Sequence, residues 1–366
     1  MTESNKKEIV QSLNTKTPST IFYLGKVMDD ALLEIDLEQC VTNANAPAKR
    51  LLGDNLIGTL LNQRLNYIEL ENKSKDFIQK GKITEFNATL KNDKYHHLKG
   101  RIMGIGNQQA IVLLMDMTLQ HNLEKIRRDF VANVSHELRS PLTSLMGFVE
   151  TMQNTPDIEN DMKERFLKIM EDEAKRMSRL IDDLMSLSRV EAEEHIAPTG
   201  KVFIKTVLAS VIASLNNRAI KTGHIIDFQD QRKNITDEPI IRGETDEITE
   251  VFHNLIDNAL KYSYPESNIT IQLTETVVGQ ITVNIKNEGD GIEAEHLPRL
   301  TERFYRVDKG RSRQMGGTGL GLAIVKHIIH KHRGTLKIES ELKKETMFQI
   351  SVPYFHTLLS GLRLNE

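Results

Sequence analysis

The feature of this chain that most limits its fold is a pair of long, narrow apolar seams between residues 118 and 187. The first seam comprises Leu123, Ile126, Phe130, Val134, Leu138, Leu142, Leu145 and Val149, and the second comprises Phe166, Met170, Ala174, Met177, Ile181, Leu184 and Leu187. Spacings of three and four residues predict one face of a helix in each case, and Pro156 lies between them. One antiparallel hairpin buries such seams poorly, so we predict that two hairpins pair into a four-helix bundle and that the protein is a homodimer.

Mixed patterns of helix and strand flank this hairpin, for which we assign residues 118–194. Residues 21–117 predict a small α+β module, with strands at 31–36, 83–90, 97–103 and 109–115 and a short helix at 45–52. Residues 197–355 predict an α/β module, with helices at 207–219, 247–262 and 319–332 and strands at 269–274, 280–286, 335–340 and 347–352. Residues 1–20 form a polar N-terminal segment and residues 356–366 a tail. The fold class is therefore multidomain α+β.

Composition excludes several classes of protein. The 48 Lys and Arg residues nearly balance the 51 Asp and Glu residues, which argues against a nucleic-acid partner. The single cysteine, Cys40, excludes an internal disulfide framework and a CxxC site. No apolar run is long enough for a membrane helix or a signal peptide, so we expect a cytoplasmic chain, associated with the inner membrane if an anchor precedes Met1.

A histidine and a carboxylate interrupt the first seam. His136 and Glu137 lie between Val134 and Leu138, and we expect both side chains to face solvent. An exposed imidazole can accept a phosphoryl group, and a neighbouring carboxylate can take its proton. Taken alone, a His-Glu pair is more often part of a solvated helix face. A zinc protease is excluded because the second histidine of H-E-x-x-H is Ser140 here.

Two carboxamides and an ammonium group share one face of a later predicted helix. Asn254, Asn258 and Lys261 recur at spacings of four and three. Their amide oxygens can hold Mg²⁺ and the lysine can hold a phosphate. The simpler interpretation is a polar face exposed to solvent. However, asparagine is a poor helix former, so two asparagines on one stripe favour a functional role.

Two glycine-containing segments follow. Asn287, Gly289 and Gly291 come directly after a predicted strand, where glycines let the backbone approach a planar ring; alone, this pattern is simply a turn. The second segment, with Gly317, Gly319 and Gly321, precedes a helix, whose N-terminus attracts an anion. Neither the Rossmann nor the P-loop spacing is met. The residues between the two segments, with Arg306, Lys309, Arg311 and Arg313, suit a mobile lid over a triphosphate.

The order of these four constellations resembles that of the sensor histidine kinases of two-component systems, whose H, N, G1, F and G2 boxes they match. The stretches 298–309 and 316–327 are most similar to the phosphate-regulon (PhoR) type. The first module, with Asp30, Asn43, Asn45 and the 115–118 stretch (Met-Asp-Met-Thr), is similar to a PAS sensory domain. The resemblance implies a PAS-like module, a dimeric four-helix bundle and an α/β-sandwich ATP-binding domain of the GHKL type.

The resemblance also implies a role for each matched position. His136 would be phosphorylated from ATP with Glu137 as general base, and Arg306 would meet the γ-phosphate. The nucleotide-binding positions would be Asn254, Asn258, Lys261, Tyr262, Asn287, Gly289, Gly291, Gly317, Gly319 and Gly321, with Asn254 and Asn258 holding Mg²⁺. The phosphoryl group would pass to an aspartate of a response regulator. Positioning and charge neutralisation are what phosphoryl transfer needs.

Two positions depart from the family pattern. Asn287 stands where an adenine-contacting aspartate is usual, and the loss of a charge-assisted hydrogen bond predicts an ATP affinity lower by about tenfold, which Asn287→Asp would restore. Ser140 stands where threonine or asparagine usually supports a phosphatase reaction. Its hydroxyl can still orient a water molecule, so we expect both kinase and phosphatase activity.

Two other functions remain open from the sequence: a non-kinase ATPase of the GHKL type, and a catalytically weak signalling scaffold. The partners implied by the resemblance are a second copy of the chain, a PhoB-type response regulator, and a membrane or transport-system protein that signals to it. Phosphate-responsive signalling is expected by the same analogy.

Overall fold

The structure is a computed structural model that describes residue 25 and residues 27–66, 83–91, 95–106, 108–155, 158–232, 238–277, 279–308, 310 and 315–355. The predicted polar segment 1–20, the tail 356–366 and the lid residues Lys309, Arg311 and Arg313 lie outside this described part. The chain divides into two compact units, Met1–Ala132 and Asn133–Glu366. None of the helices in the described ranges combines the length and the apolar character that a membrane span requires.

The first unit contains a five-stranded antiparallel sheet. Its strands are β1 (Ala31–Asp36), β2 (Val41–Ala44), β3 (Thr84–Lys91), β4 (Tyr95–Gly106) and β5 (Gln109–Asp116), in the order β2-β1-β5-β4-β3. Helix α1 (Ala46–Leu52) begins after Asn45, whose carboxamide oxygen accepts from the backbone N–H of Ala48 at 2.9 Å. Alternate residues of β5 are buried, as the period of two in its sequence predicts.

Two long helices follow, α2 (Thr118–Asn154) and α3 (Asn160–Glu193). Helix α2 starts in the first unit and continues through the second. Several apolar side chains of the predicted seams are exposed, among them Leu142 and Ile181, each 49% exposed. The hairpin therefore leaves part of its apolar surface uncovered.

The rest of the second unit is a layered α/β domain. Its strands are β6 (Lys201–Phe203), β7 (Ile225–Asp230), β8 (Ile240–Arg242), β9 (Asn268–Val277), β10 (Gln280–Glu288), β11 (Thr335–Glu341) and β12 (Glu345–Pro353), and its helices are α4 (Ile204–Lys221), α5 (Thr245–Tyr262) and α6 (Gly321–Lys331). The main sheet has the order β11-β12-β10-β9-β7, with only the β7–β9 pair parallel among these strands. The three helices pack on the sheet, and α5 contacts both α4 and α6. Fully buried side chains such as Ile271, Ile285 and Leu255 fill the space between the layers.

This architecture confirms the predicted fold class. Around the end of α6, His332 is 4% exposed, and His327 and His330 pair with Glu194 at 2.7 and 2.5 Å. The His330 side chain remains 67% exposed. The two pairs with Glu194 form because α3 docks on α6.

Candidate nucleotide site

A cavity of about 490 Å³ lies in the α/β domain, at the edge where α5, the end of β10 and the start of α6 meet. This volume lies in the range typical of ligand pockets. Ten of the predicted site residues line it: Asn254, Asn258, Lys261, Tyr262, Asn287, Gly291, Arg306, Gly317, Gly319 and Gly321. Of the remaining predicted residues, Gly289, His136, Glu137 and Ser140 do not.

The carboxamide face of α5 points into this cavity. The Asn254 amide nitrogen donates to the backbone carbonyl of Glu250 at 3.0 Å. This hydrogen bond orients the carboxamide, so its oxygen points away from Glu250. A Cβ added at Gly321 would lie 2.6 Å from that oxygen, so a larger residue there would displace the Asn254 carboxamide. Lys261 forms an ion pair with Asp257 at 2.7 Å, and Asp257 also contacts Arg218. The lysine is thus held on the same face by its own helix.

The turn after β10 is shaped by two glycines. A Cβ at Gly289 would lie 2.3 Å from the Tyr262 carbonyl oxygen, so glycine allows the end of α5 to approach this turn. Gly291 has a φ of +69°, a region that favours glycine. Asn287 precedes this turn and is 3% exposed.

The second glycine segment lies beside an arginine. Gly319 has a φ of +77°, and a Cβ there would lie 3.1 Å from the Arg306 Nε atom. The Gly319 carbonyl oxygen accepts from the backbone N–H of Phe304 at 2.8 Å, which ties the arginine's segment to the start of α6. The Arg306 side chain is 6% exposed. Glycine at 319 therefore leaves room for the guanidinium at the edge of the cavity.

The histidine helix reaches this cavity through a carboxylate. His136 is exposed on α2, as expected, but Glu137 is not solvated: its side chain is 19% exposed. Its carboxylate lies 2.8 Å from an Arg176 Nη atom and 3.6 Å from an Arg306 Nη atom. Pro141, inside α2, has no N–H to donate to the Glu137 carbonyl group. Ser140 is exposed one turn beyond His136.

Helix α3 supplies acidic and basic groups to the same cavity. Thr318 donates to the Asp183 carboxylate at 2.6 Å, and Arg179 donates to the Gly316 carbonyl oxygen at 3.4 Å. Burial raises the pKa of Asp183, against the opposing effects of Thr318 and Lys261. Burial likewise raises the pKa of Glu250, which accepts a hydrogen bond from Ser186 at 2.7 Å.

Sequence reasoning missed these residues of α3, together with Arg176. They lie on the inner face of α3. The apolar pattern of this helix predicts that the face is packed, but it does not predict which domain the face contacts. The signal available in the sequence was that the polar residues Asp183 and Ser186 adjoin the seam residues Leu184 and Leu187.

Comparison with known proteins matches two ranges of the chain to described domains. Residues 126–193 match the His Kinase A (phospho-acceptor) domain, and residues 243–356 match the family described as histidine kinase-, DNA gyrase B-, and HSP90-like ATPase. The phosphate regulon sensor protein PhoR of Pseudomonas aeruginosa is 39% identical over 245 residues, which cover 66% of this chain and 54% of that protein. The sensor protein SrrB of Staphylococcus aureus is 37% identical over 248 residues, which cover 68% of this chain and 42% of that protein. The chain thus spans about half the length of these curated relatives.

A solved structure shares the fold. The crystal structure of the histidine kinase ThkA in complex with the response regulator protein TrrA matches with a TM-score of 0.50 and 19% identity, and the match covers 91% of this chain and 98% of the other. At that identity the likeness concerns the fold alone.

Proposed function

We propose that this chain, which belongs to the sensor histidine kinase family, transfers the γ-phosphoryl group of ATP to His136 and then to an aspartate of a response regulator. The observation that carries the proposal is the contact between Glu137 and Arg306. It joins the neighbour of the phosphate acceptor to an arginine of the nucleotide cavity.

The residues of the cavity fit ATP with Mg²⁺. The Asn254 oxygen faces the glycine segment, and Asn258 lies one turn along the same face. Both are oxygen donors of the kind that Mg²⁺ accepts, and they would hold it beside the phosphates. Lys261 would contact a phosphate, Tyr262 the pocket wall, and Asn287 with Gly289 and Gly291 the base. Gly317, Gly319 and Gly321 would present backbone N–H groups at the start of α6.

The proposed reaction assigns a role to three further side chains. A ring nitrogen of His136 attacks the γ-phosphorus, the bond from that phosphorus to the bridging oxygen breaks, and ADP leaves. Glu137 takes the imidazole proton, and Arg306 stabilises the negative charge on the transferring group. In the present conformation Glu137 is paired with Arg176 and Arg306, so it must exchange these contacts before it acts as a base.

We also propose the remaining assignments by relationship. Residues 21–117 serve as a PAS-like sensory domain, 118–194 as the dimerisation and phosphotransfer hairpin, and 197–355 as the catalytic domain. A PhoB-type regulator, phosphate-responsive signalling, and a membrane or transport-system partner are supported by the likeness to the phosphate regulon sensor protein.

Incubation with γ-labelled ATP separates the candidate functions. A histidine kinase retains label on the protein, and the His136→Ala variant does not. A GHKL-type ATPase releases labelled phosphate without retaining label, and a scaffold does neither. Label that persists in His136→Ala would contradict the proposed function.

We further propose that Ser140 orients the water molecule that dephosphorylates the regulator. Its hydroxyl group is exposed one helical turn from His136. The Ser140→Ala variant should therefore dephosphorylate the regulator about 10- to 100-fold more slowly, while its own labelling by ATP is unchanged. Equal rates of dephosphorylation would remove this role from Ser140.

A further inference from the structure

Asn287 is a buried carboxamide to which the described residues offer no hydrogen-bond partner for its side chain, although it is only 3% exposed. Asn45 provides the contrast. It is 2% exposed, and its carboxamide accepts from the N–H groups of Leu32 and Ala48 and donates to the carbonyl groups of Gly25 and Asp30. The side chain of Asn287 lines the cavity, so its polar atoms are open to water there, and a ligand that fills the cavity would replace that water as their hydrogen-bond partner.

The surroundings of Asn287 define the shape of that ligand. On the neighbouring strand, Asn287 pairs with Thr346, and Phe348 lies two residues further along. Phe348, Ile292 and Leu300 line the same cavity and give it apolar wall that suits a flat aromatic ring. A Cβ at Gly289 would lie 3.4 Å from the Asn287 amide nitrogen, so glycine leaves that nitrogen accessible.

A carboxamide differs from a carboxylate in the hydrogen bonds it can make. A carboxylate only accepts, whereas a carboxamide offers both a C=O acceptor and an NH₂ donor. Adenine carries an amino donor at its six-position, and guanine carries a carbonyl acceptor there. A half-turn about the last side-chain torsion of Asn287 exchanges its two groups, and this torsion is broad and roughly two-fold.

We propose that Asn287 makes the nucleotide site accept guanine as well as adenine nucleotides, so that both ATP and GTP are phosphoryl donors. This inference rests on the proposed function, whose nucleotide class it widens. A carboxylate at this position could only accept hydrogen bonds, so its oxygens would repel the carbonyl oxygen of guanine. The carboxamide pairs with either purine, and the site discriminates between them by less than about tenfold.

Calorimetric titration of the full chain with Mg·ADP and, separately, with Mg·GDP tests this inference without any catalytic step. The wild-type dissociation constants should agree within about tenfold. The Asn287→Asp variant should have a lower dissociation constant for ADP and a higher one for GDP. The ratio of the GDP constant to the ADP constant should therefore rise by at least about tenfold. Asn268→Asp, the same change at an exposed position on β9, should leave both constants unchanged.

The outcomes are distinguishable. Wild-type binding of ADP with GDP rejected by 100-fold or more would overturn the inference and leave the proposed function intact; this result needs no variant. A ratio unchanged by Asn287→Asp would overturn it as well. Failure of the wild-type chain to bind either nucleotide would overturn the proposed function and the inference with it.

Discussion

The Asp183 carboxylate lies beside the glycine segment of the cavity, where it accepts the hydrogen bond of Thr318. Burial raises its pKa, so the folded chain holds the Asp183 proton more tightly than the unfolded chain does. The stabilising contribution of such a group is fully present below its ordinary pKa and is lost as the pH rises through the raised folded value. At neutral pH the ionised group therefore carries a cost.

The Asp183→Asn variant should remove this cost. Asparagine keeps an oxygen that accepts from Thr318 and has no charge to bury. At pH 7.5 its melting temperature should exceed that of the wild type by about 2–4 °C, which corresponds to about 1 kcal/mol in a domain of this size. The difference should vanish near pH 4, close to the ordinary range for aspartate.

Asp182→Asn is the matched control, because Asp182 is the exposed neighbour on the same helix. Its melting temperature should follow that of the wild type at both pH values. A variant of Asp183 that melts below the wild type at pH 7.5 would show that burial does not dominate at this carboxylate.

At the level of elements, the docking of α3 on the α/β domain organises the site. Leu180, Leu187 and Val190 are buried along one face of α3. Beyond them, Arg303 pairs with Glu191 at 2.5 Å, and Lys331 pairs with Glu193 at 2.9 Å. An apolar centre flanked by ion pairs holds the hairpin against the nucleotide domain.

Truncation of Leu187, which is 1% exposed, tests the apolar part of this docking. Leu187→Ala should lower the free energy of unfolding by about 2–5 kcal/mol, because it leaves a cavity between two elements. Leu342→Ala, the same truncation at a 57% exposed position between β11 and β12, should change it by less than about 0.5 kcal/mol. Denaturant titration of both variants measures the difference; equal small effects would mean that the docked interface contributes little.

The sequence predicts most of these elements because their periods are long and regular. The predicted hairpin 118–194 nearly coincides with the observed helices Thr118–Asn154 and Asn160–Glu193, and the predicted strand 280–286 with the observed Gln280–Glu288. The sequence does not predict β2, β6 and β8, which have three or four residues each, or β7, whose apolar side chains Ile225 and Phe228 are exposed. Strands this short, or without a buried face, lack the alternation by which a strand is recognised.

Within the site, too, some residues have a recognisable sequence pattern and others do not. The residues of the cavity wall, such as Asn254 and Gly321, are recognisable because their types and spacing are unusual. Arg176 and Asp183 are not, since their contacts depend on how a helix from one part of the chain docks on another. Tertiary packing decides such contacts, and a single sequence carries little information about it.

For the whole molecule, we predict that a second copy packs on the exposed seam residues of the hairpin. Leu142 and Ile181 are each 49% exposed, on α2 and α3 respectively. Two hairpins that cover these residues would complete the four-helix bundle. A charge placed in that interface should disfavour association strongly.

Sedimentation of the purified chain tests this assembly. The wild type should sediment as a dimer, and Leu142→Glu and Ile181→Glu should shift it towards the monomer by at least about 100-fold in dissociation constant. Ile220→Glu, a change of the same kind at a 64% exposed residue of α4, should remain dimeric. A wild-type chain that sediments as a monomer, or charge variants that stay dimeric, would contradict the predicted bundle.

The most direct test of the proposed function is the position of the phosphoryl group after incubation with ATP. Tryptic cleavage after Arg128 and Arg139 yields the peptide 129–139, which contains both Ser135 and His136. Fragmentation of this peptide by mass spectrometry, under conditions that preserve a phosphorus–nitrogen bond, distinguishes the two residues. The predicted result is one added phosphoryl group on His136. A phosphoryl group on Ser135, or on a peptide elsewhere in the chain while 129–139 remains unmodified, would contradict it.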